Sequence, residues 1–209
     1  MSENINKEKP EEYIKDIISS IIGFNEIKKA KSGQFFNCIR DKHKMCFVLI
    51  QGTCRILRTR DSLIYATIES PSIVGLSAFF NTSQTLVLQP RSGTEYIYMP
   101  LNDFLKNIDD NDLWRKLSFI LLFTNFRYND YLVRNNCVPT YKLICNNLLA
   151  LDSEVFEIKA TTSVVKYILD RTVLSRSCVM GVLSELRKGN YIVMHKGMLI
   201  KINKLPVRF

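Results

Sequence analysis

The stretch Thr161–Arg187, TTSVVKYILDRTVLSRSCVMGVLSELR, decides the fold. It holds two short amphipathic segments separated by a break. Thr161, Thr162 or Ser163 can cap the first, because their side-chain oxygens accept the free N–H groups of a helix's first turn. Val164, Val165, Ile168 and Leu169 give that helix a buried side at helical spacing. Asp170–Leu174 is the turn. Ser175 can cap the second helix, leaving Arg176 and Ser177 outward in its first turn, with Met180 one turn on. Val179, Val182, Leu183 and Leu186 form its apolar face. Two short helices joined this way predict a helix-turn-helix, whose second helix enters a DNA major groove with its N-terminal residues on bases and phosphates. KGNYIVMHKGMLIKI follows. Gly189 ends the helix, YIVM and MLIKI alternate as strands, and HKG turns between them. This is a wing, with Lys188, His195 and Lys196 available to phosphates.

The distribution of charge points the same way. The net charge is +9 over 209 residues. Ser163–Phe209 carries nine Lys and Arg against two acids, or +7, while the other 162 residues carry twenty against eighteen. The last quarter is therefore where a polyanion is expected. A solubilising basic tail would lack the apolar periodicity this region has.

Upstream, the pattern changes twice. Tyr13, Ile17, Ile18, Ile21 and Ile22 predict a helix from about Glu11 to Ile22, ending at Gly23. From Lys31 to Pro100, short β-branched and aromatic runs alternate with turn signals, which predicts a small antiparallel barrel or roll. Asn111–Asn136 returns to helical spacing, with Leu113, Leu117, Ile120, Leu121, Thr124, Tyr128 and Tyr131 down one side. Phe119, Leu122, Phe123 and Phe126 broaden that stripe, so part of the helix should also pack on the roll. NNCVPT (135–140) reads as a hinge, YKLICNNLLAL as a helix, and VFEIKATT as a strand leading into the first helix of the pair.

FVLIQGTCRILR, IESPSIVGLSAFF and EYIYMPLNDFLKNI, in that order over Phe35–Ile108, resemble the β-roll of the Crp/Fnr regulators. LSRS…VLSELRKGNYI resembles that family's recognition helix and wing more strongly. The resemblance implies an α+β chain: a cyclic-nucleotide-binding-like antiparallel β-roll with an N-terminal helix (1–110), a long dimerisation helix (111–136), and a C-terminal winged helix-turn-helix (137–209). It implies guanine readout by Arg176, whose fork fits guanine's two acceptors. The family's acidic base-reader falls on Ser177 and its second arginine on Gly181, so its usual operator is not expected. The segment joining the two helices is also longer here.

Cyclic-nucleotide binding is not expected either. Leu76-Ser77-Ala78-Phe79-Phe80 after Gly75 lacks the acidic ribose partner, and Ser83-Gln84-Thr85-Leu86-Val87 lacks the Arg-Ser pair for a cyclic phosphate. Arg91-Ser92 lies several residues late. The family's N-terminal iron–sulfur cysteine cluster is absent, and His43 is a lone histidine between lysines. Cys38, Cys46, Cys54, Cys137, Cys145 and Cys178 make no CxxC pair, so free packed thiols are expected rather than a metal site. Oxidation of Cys178, on the recognition helix, would matter most, although a packed helix residue is the plainer reading.

No cofactor is expected. The partners expected are double-stranded DNA and a second copy of the chain, with RNA polymerase as a further candidate. No apolar run approaches a bilayer span, and the polar start MSENINKEKPEE lacks a secretory layout, so a cytoplasmic protein is expected. The whole-chain pattern resembles a smaller branch of the superfamily linked to oxidative-stress tolerance. No nucleophile–base set, metal cluster or phosphate-binding glycine loop is present, which argues against an enzyme. The competing expectation is an adaptor that keeps this fold without sequence-specific DNA binding.

Overall fold

The computed structural model describes residues 9–80, 85–135 and 138–206. They form two compact units, Met1–Arg127 and Tyr128–Phe209, with the division inside one long helix. The first unit opens with α1 (Glu11–Ile22), whose Ile14, Ile17, Ile18 and Ile21 are buried on one side. The roll then runs through β1 (Lys28–Lys29), β2 (Phe36–Asn37), β3 (Ile39–Arg40), β4 (His43–Gln51), β5 (Thr53–Arg58), β6 (Ile64–Glu69) and β7 (Ser72–Val74). A 3-10 turn (Leu76–Phe79), β8 (Leu86–Pro90) and β9 (Glu95–Pro100) complete it. One sheet has the order β1-β9-β4-β3, with β7 also on β4, and the other β2-β8-β5-β6. Every pairing is antiparallel.

The run Cys46–Leu49 is apolar throughout because β4 is covered on both faces. Cys46 and Val48 join Ile97 and Met99 of β9 beneath the helices. Phe47 and Leu49 turn into the space between the sheets with Cys54, Ile56 and Leu88. Phe36 fills that space further, its ring 4.7 Å from Tyr96, 5.2 Å from Phe47 and 5.1 Å from Tyr98. Gly75 holds φ 108°, and a Cβ there would stand 2.4 Å from the Met45 carbonyl oxygen, so only glycine fits where the chain leaves β7.

Two helices follow, α2 (Leu101–Asp110) and α3 (Trp114–Asn135). Asn111–Leu113 form the bend between them, with Asp112 at φ 51°, so α3 starts later than its apolar spacing suggested. Leu101, Phe104 and Ile108 of α2 cover the roll with α1. The orientation of α3 divides the expected stripe. Leu113, Leu117 and Ile120 are buried in this chain's own core, so this end of the helix packs on the roll, whereas Leu121, Thr124 and Tyr128 of the same stripe are exposed. Phe119, Leu122 and Phe126, which broaden the stripe, are exposed as well. Both stripes have helical spacing, and only the position of the roll decides which is inward. Lys116 pairs with Asp16 of α1 at 2.7 Å beside this contact, on the surface.

The second unit contains the rest of α3, then α4 (Thr140–Asp152), α5 (Phe156–Thr161), α6 (Val164–Leu169), α7 (Arg176–Lys188), β10 (Ile192–His195) and β11 (Met198–Ile202). Of the expected hinge, Asn136 and Cys137 lie outside the described residues. Pro139 ends it in extended backbone and caps α4. VFEIKATT is a correction, because it contains helix α5 where a strand was expected. Val155 keeps extended backbone as its N-cap, the Thr161 hydroxyl donates to the Glu157 carbonyl at 2.6 Å, and Thr162 returns to extended backbone. The segment is too short for its apolar spacing to separate the two periods. Ile144, Leu148, Leu151, Val164, Tyr167 and Ile168 form this unit's core with Val179, Leu183, Leu186, Ile192 and Leu199.

Candidate nucleic-acid interface

Of the three possible caps, Ser163 starts α6, accepting the Lys166 N–H at 3.3 Å. Tyr167 joins Val164 and Ile168 on the buried side, while Val165 and Leu169 are half-buried. The wing is tied to this helix start, since the Val164 N–H donates to the Gly197 carbonyl at 2.9 Å. Lys196 and Gly197, at φ 48° and 84°, form the two-residue turn between β10 and β11. Positive φ at both positions matches the strand twist of a tight hairpin, and glycine adopts it without strain.

The longer turn Asp170–Leu174 is held by contacts the sequence did not reveal. The Arg171 guanidinium lies 3.5 Å over the Tyr167 ring and 3.5 Å from a carboxylate oxygen of Glu154. Tyr167 donates its hydroxyl to the same carboxylate at 2.7 Å. Burial is the first cause pushing the Tyr167 phenol well above its ordinary pKa; Arg171 opposes it, and accepting Glu154 reinforces it. Thr172 is buried and donates to the Ile168 carbonyl at 2.9 Å. The turn is thereby fixed from both sides, which orients α7 without shortening the loop. Val173, by contrast, is 83% exposed.

Ser175 is the N-cap of α7 and accepts the Cys178 N–H at 3.3 Å. Its hydroxyl also lies 3.1 Å from that of Ser177. Arg176 is the first residue of α7 and is exposed, as are Ser177 and Met180. Val179, Leu183 and Leu186 are buried and Val182 half-buried, so the inward face is the expected one. Gly181 is exposed mid-helix, with open space where a Cβ would stand. The structure thus gathers Ser175, Arg176, Ser177 and Met180 on the N-terminal half of one helix. Lys188 sits at its other end, about 18 Å along the axis at 1.5 Å per residue, and its ammonium pairs with Glu185 at 2.7 Å. Both side chains are largely exposed, so this pair is weak and Lys188 can exchange it for a phosphate. His195 and Lys196 are exposed on the wing. Arg187 was missed: helical spacing puts it on the same edge as Arg176 and Met180, and it is exposed.

In the roll, Gly75 leads into the 3-10 turn that carries Leu76–Phe79. Lys44 caps this turn, donating to the Phe79 carbonyl, with its ammonium 5.4 Å over the Phe79 ring. Ser83 and Gln84 lie outside the described residues. Cys46 and Cys54 are buried and Cys38 half-buried. Burial pushes the Cys38 thiol up to about 11 and that of Cys54 to about 12, and raises that of Cys46 strongly.

Residues 140–207 match a family model described as winged helix-turn-helix DNA binding. Over 193 residues the chain is 31% identical to the inhibitor of hydrogen peroxide resistance of Salmonella typhimurium strain LT2, spanning 86% of this chain and 91% of that one. The chain belongs to that family. The protein of the same name from Escherichia coli K12 is 33% identical over 168 residues, covering 78% of this chain and 79% of its own. Among solved structures, the c-di-GMP-responsive global regulator CLP of Xanthomonas campestris matches with TM-score 0.65 at 16% identity, covering 91% of this chain and all of that one. A protein described as a Crp/Fnr-family transcriptional regulator from Eubacterium rectale matches with TM-score 0.63 at 12% identity, covering 90% of each chain. The fold of this family member is therefore that of the Crp/Fnr regulators: a β-roll, helices and a C-terminal winged helix-turn-helix. The matched structures are regulators, not enzymes. No helix among the described residues is long and apolar enough to cross a membrane.

Proposed function

We propose that this chain is a dimeric, sequence-specific transcription regulator that acts in the cytoplasm without a cyclic nucleotide. Its working parts are the roll with its N-terminal helix (1–110), a dimerisation helix (111–136) and a DNA-binding domain (137–209). The observation that carries this reading is the exposed N-terminal half of α7, where Ser175 caps a helix that presents Arg176 to solvent. Arg176 reads guanine, Ser175, Ser177 and Met180 line the same contact, and Lys188, His195 and Lys196 hold phosphates. In the dimer, Phe119, Leu122 and Phe126 of α3 face their counterparts, since their spacing and exposure suit a helical seam. Two recognition helices then address half-sites ~34 Å apart. Independence of cyclic nucleotide is supported by the missing acid and arginine after Gly75, and by Lys44 engaging the turn there. The relatives' name gives the physiological direction, an effect on hydrogen peroxide resistance. RNA polymerase is the partner through which such a regulator would act.

Fluorescence anisotropy of the full-length chain with labelled genomic fragments tests this reading. One fragment class should bind at least a hundredfold more tightly than unrelated DNA, and Arg176→Ala should abolish that preference. Ser177 and Gly181 stand where the family's other base-readers would be, which favours the adaptor as the second reading. Binding that is equal across sequences and falls steeply with salt would support the adaptor.

A further inference from the structure

Gly181 has no visible reason within the chain to be glycine. Gly189 has one, because a Cβ there would meet the Tyr191 ring at 2.3 Å. Gly33, Gly52, Gly75, Gly93 and Gly197 hold positive φ, and Gly23 terminates α1. Gly181 lies inside α7 without positive φ, and a Cβ built on it meets nothing within 4 Å. Alanine in that place would strengthen the helix. The room a side chain would occupy is left open toward the outside of the molecule.

The surroundings of Gly181 favour one occupant of that room. By helical spacing, Ser177, Gly181 and Ser184 lie along the middle of the exposed face, all three small and exposed, and Lys188 ends the same strip at the helix's C-terminus, paired with Glu185. Arg176, Met180 and Arg187 share one edge of it. Over its first two and a half turns the helix therefore has a flat strip with two guanidiniums along one side. Its partner is a polyanion, because the matched family model is a DNA-binding one and the surrounding segment carries the chain's excess positive charge. We infer that Gly181 is a close-approach point, where the recognition helix's own backbone seats against base edges in the major groove, with Met180 beside it against a thymine methyl.

This inference rests on the DNA-binding reading and deepens it. A Cβ at position 181 would hold the helix off the bases by about the length of one carbon–carbon bond, ~1.5 Å. Met180 is 49% exposed and has no charge to offer a phosphate. At groove depth, the apolar group a base pair presents is the thymine 5-methyl. Specificity would come from Arg176 on guanine and Met180 on thymine, without the acidic and second cationic readers whose places Ser177 and Gly181 take.

The test begins with duplexes selected from a random-sequence pool by the full-length wild-type chain. Gly181→Ala should raise the thermal midpoint of the chain and weaken binding to the selected duplex about tenfold, leaving binding to unrelated duplex unchanged. Replacing thymine by deoxyuridine at single positions should cost the wild type about fivefold at one position per half-site and cost Met180→Ala nothing. A more stable Gly181→Ala variant that binds within twofold of wild type overturns the close approach. Indifference of the wild type to every deoxyuridine overturns the role of Met180. If the wild type selects no sequence, the DNA reading falls and takes this inference with it; selection with an indifferent Gly181→Ala removes the inference alone.

Discussion

Leu122→Asp should dissociate the proposed dimer without unfolding the chain. Leu122 is 64% exposed on α3, between Phe119 and Phe126, each 44% exposed. Fully burying a leucine is worth about 2 kcal/mol relative to leaving it exposed, so covering its open part supplies roughly 1 kcal/mol per protomer. A two-fold seam contains the residue twice, and the substitution also places two carboxylates in apolar surroundings. Each unpaired carboxylate adds at least about 1 kcal/mol. The dimer should therefore weaken by about 4 kcal/mol, or roughly a thousandfold in dissociation constant. Sedimentation velocity across a concentration series measures this directly. The monomer's own stability should change by no more than about 0.5 kcal/mol, because the side chain has solvent around it. Leu117→Asp, at a position 2% exposed in the core, should instead prevent folding. An unchanged dimer constant in Leu122→Asp, or a wild type monomeric at all concentrations, would refute the seam.

Glu154→Ala removes both the partner of Arg171 and the acceptor of the Tyr167 hydroxyl. It should cost the second unit about 2 kcal/mol in urea denaturation; no loss would show that the turn does not depend on this contact. Ser175→Ala deletes the α7 cap and should cost about 1 kcal/mol in the same measurement. High pH should destabilise the first unit. Burial raises the Cys46 thiol strongly and that of Cys54 to about 12, against an ordinary value of 9.0. The unfolded chain therefore loses these protons first, and stability is intact below pH 9 but falls as pH rises above it. At pH 10 each thiol should cost about 1.4 kcal/mol. The slope should flatten in Cys54→Ala, and an unchanged slope in that variant would contradict the assignment.

What was legible in the sequence was local. The Ser175 cap and the apolar face of α7 depend on residues a few positions apart, and the structure places them as read; it selects Ser163 from the three possible caps and narrows the expected HKG turn to Lys196-Gly197, with His195 in β10. Helix α1 was legible for the same reason. The orientation of α3 was not, because Leu113, Leu117 and Ile120 compete with Phe119, Leu122 and Phe126, and only α1 and the roll decide between them. Strand β1 is Lys28–Lys29, which carries no apolar signal and exists because β9 offers it an edge. The clamp joins Tyr167 of α6 to Glu154 before that helix and Arg171 after it, so no single periodicity exposes it. At the site, chemistry was easier to read than environment. Arg176 and Lys188 were both recognisable as cations, but only the structure shows Lys188 paired with Glu185 while Arg176 opens α7.

Genome-wide footprinting of the wild type beside Arg176→Ala tests the central claim most directly. The account predicts discrete protected sites for the wild type, each with two half-sites about one helical turn apart and guanine at the position facing Arg176. Those footprints should vanish in a variant that still folds and dimerises. Identical footprints from both proteins, or none from the wild type, would contradict it.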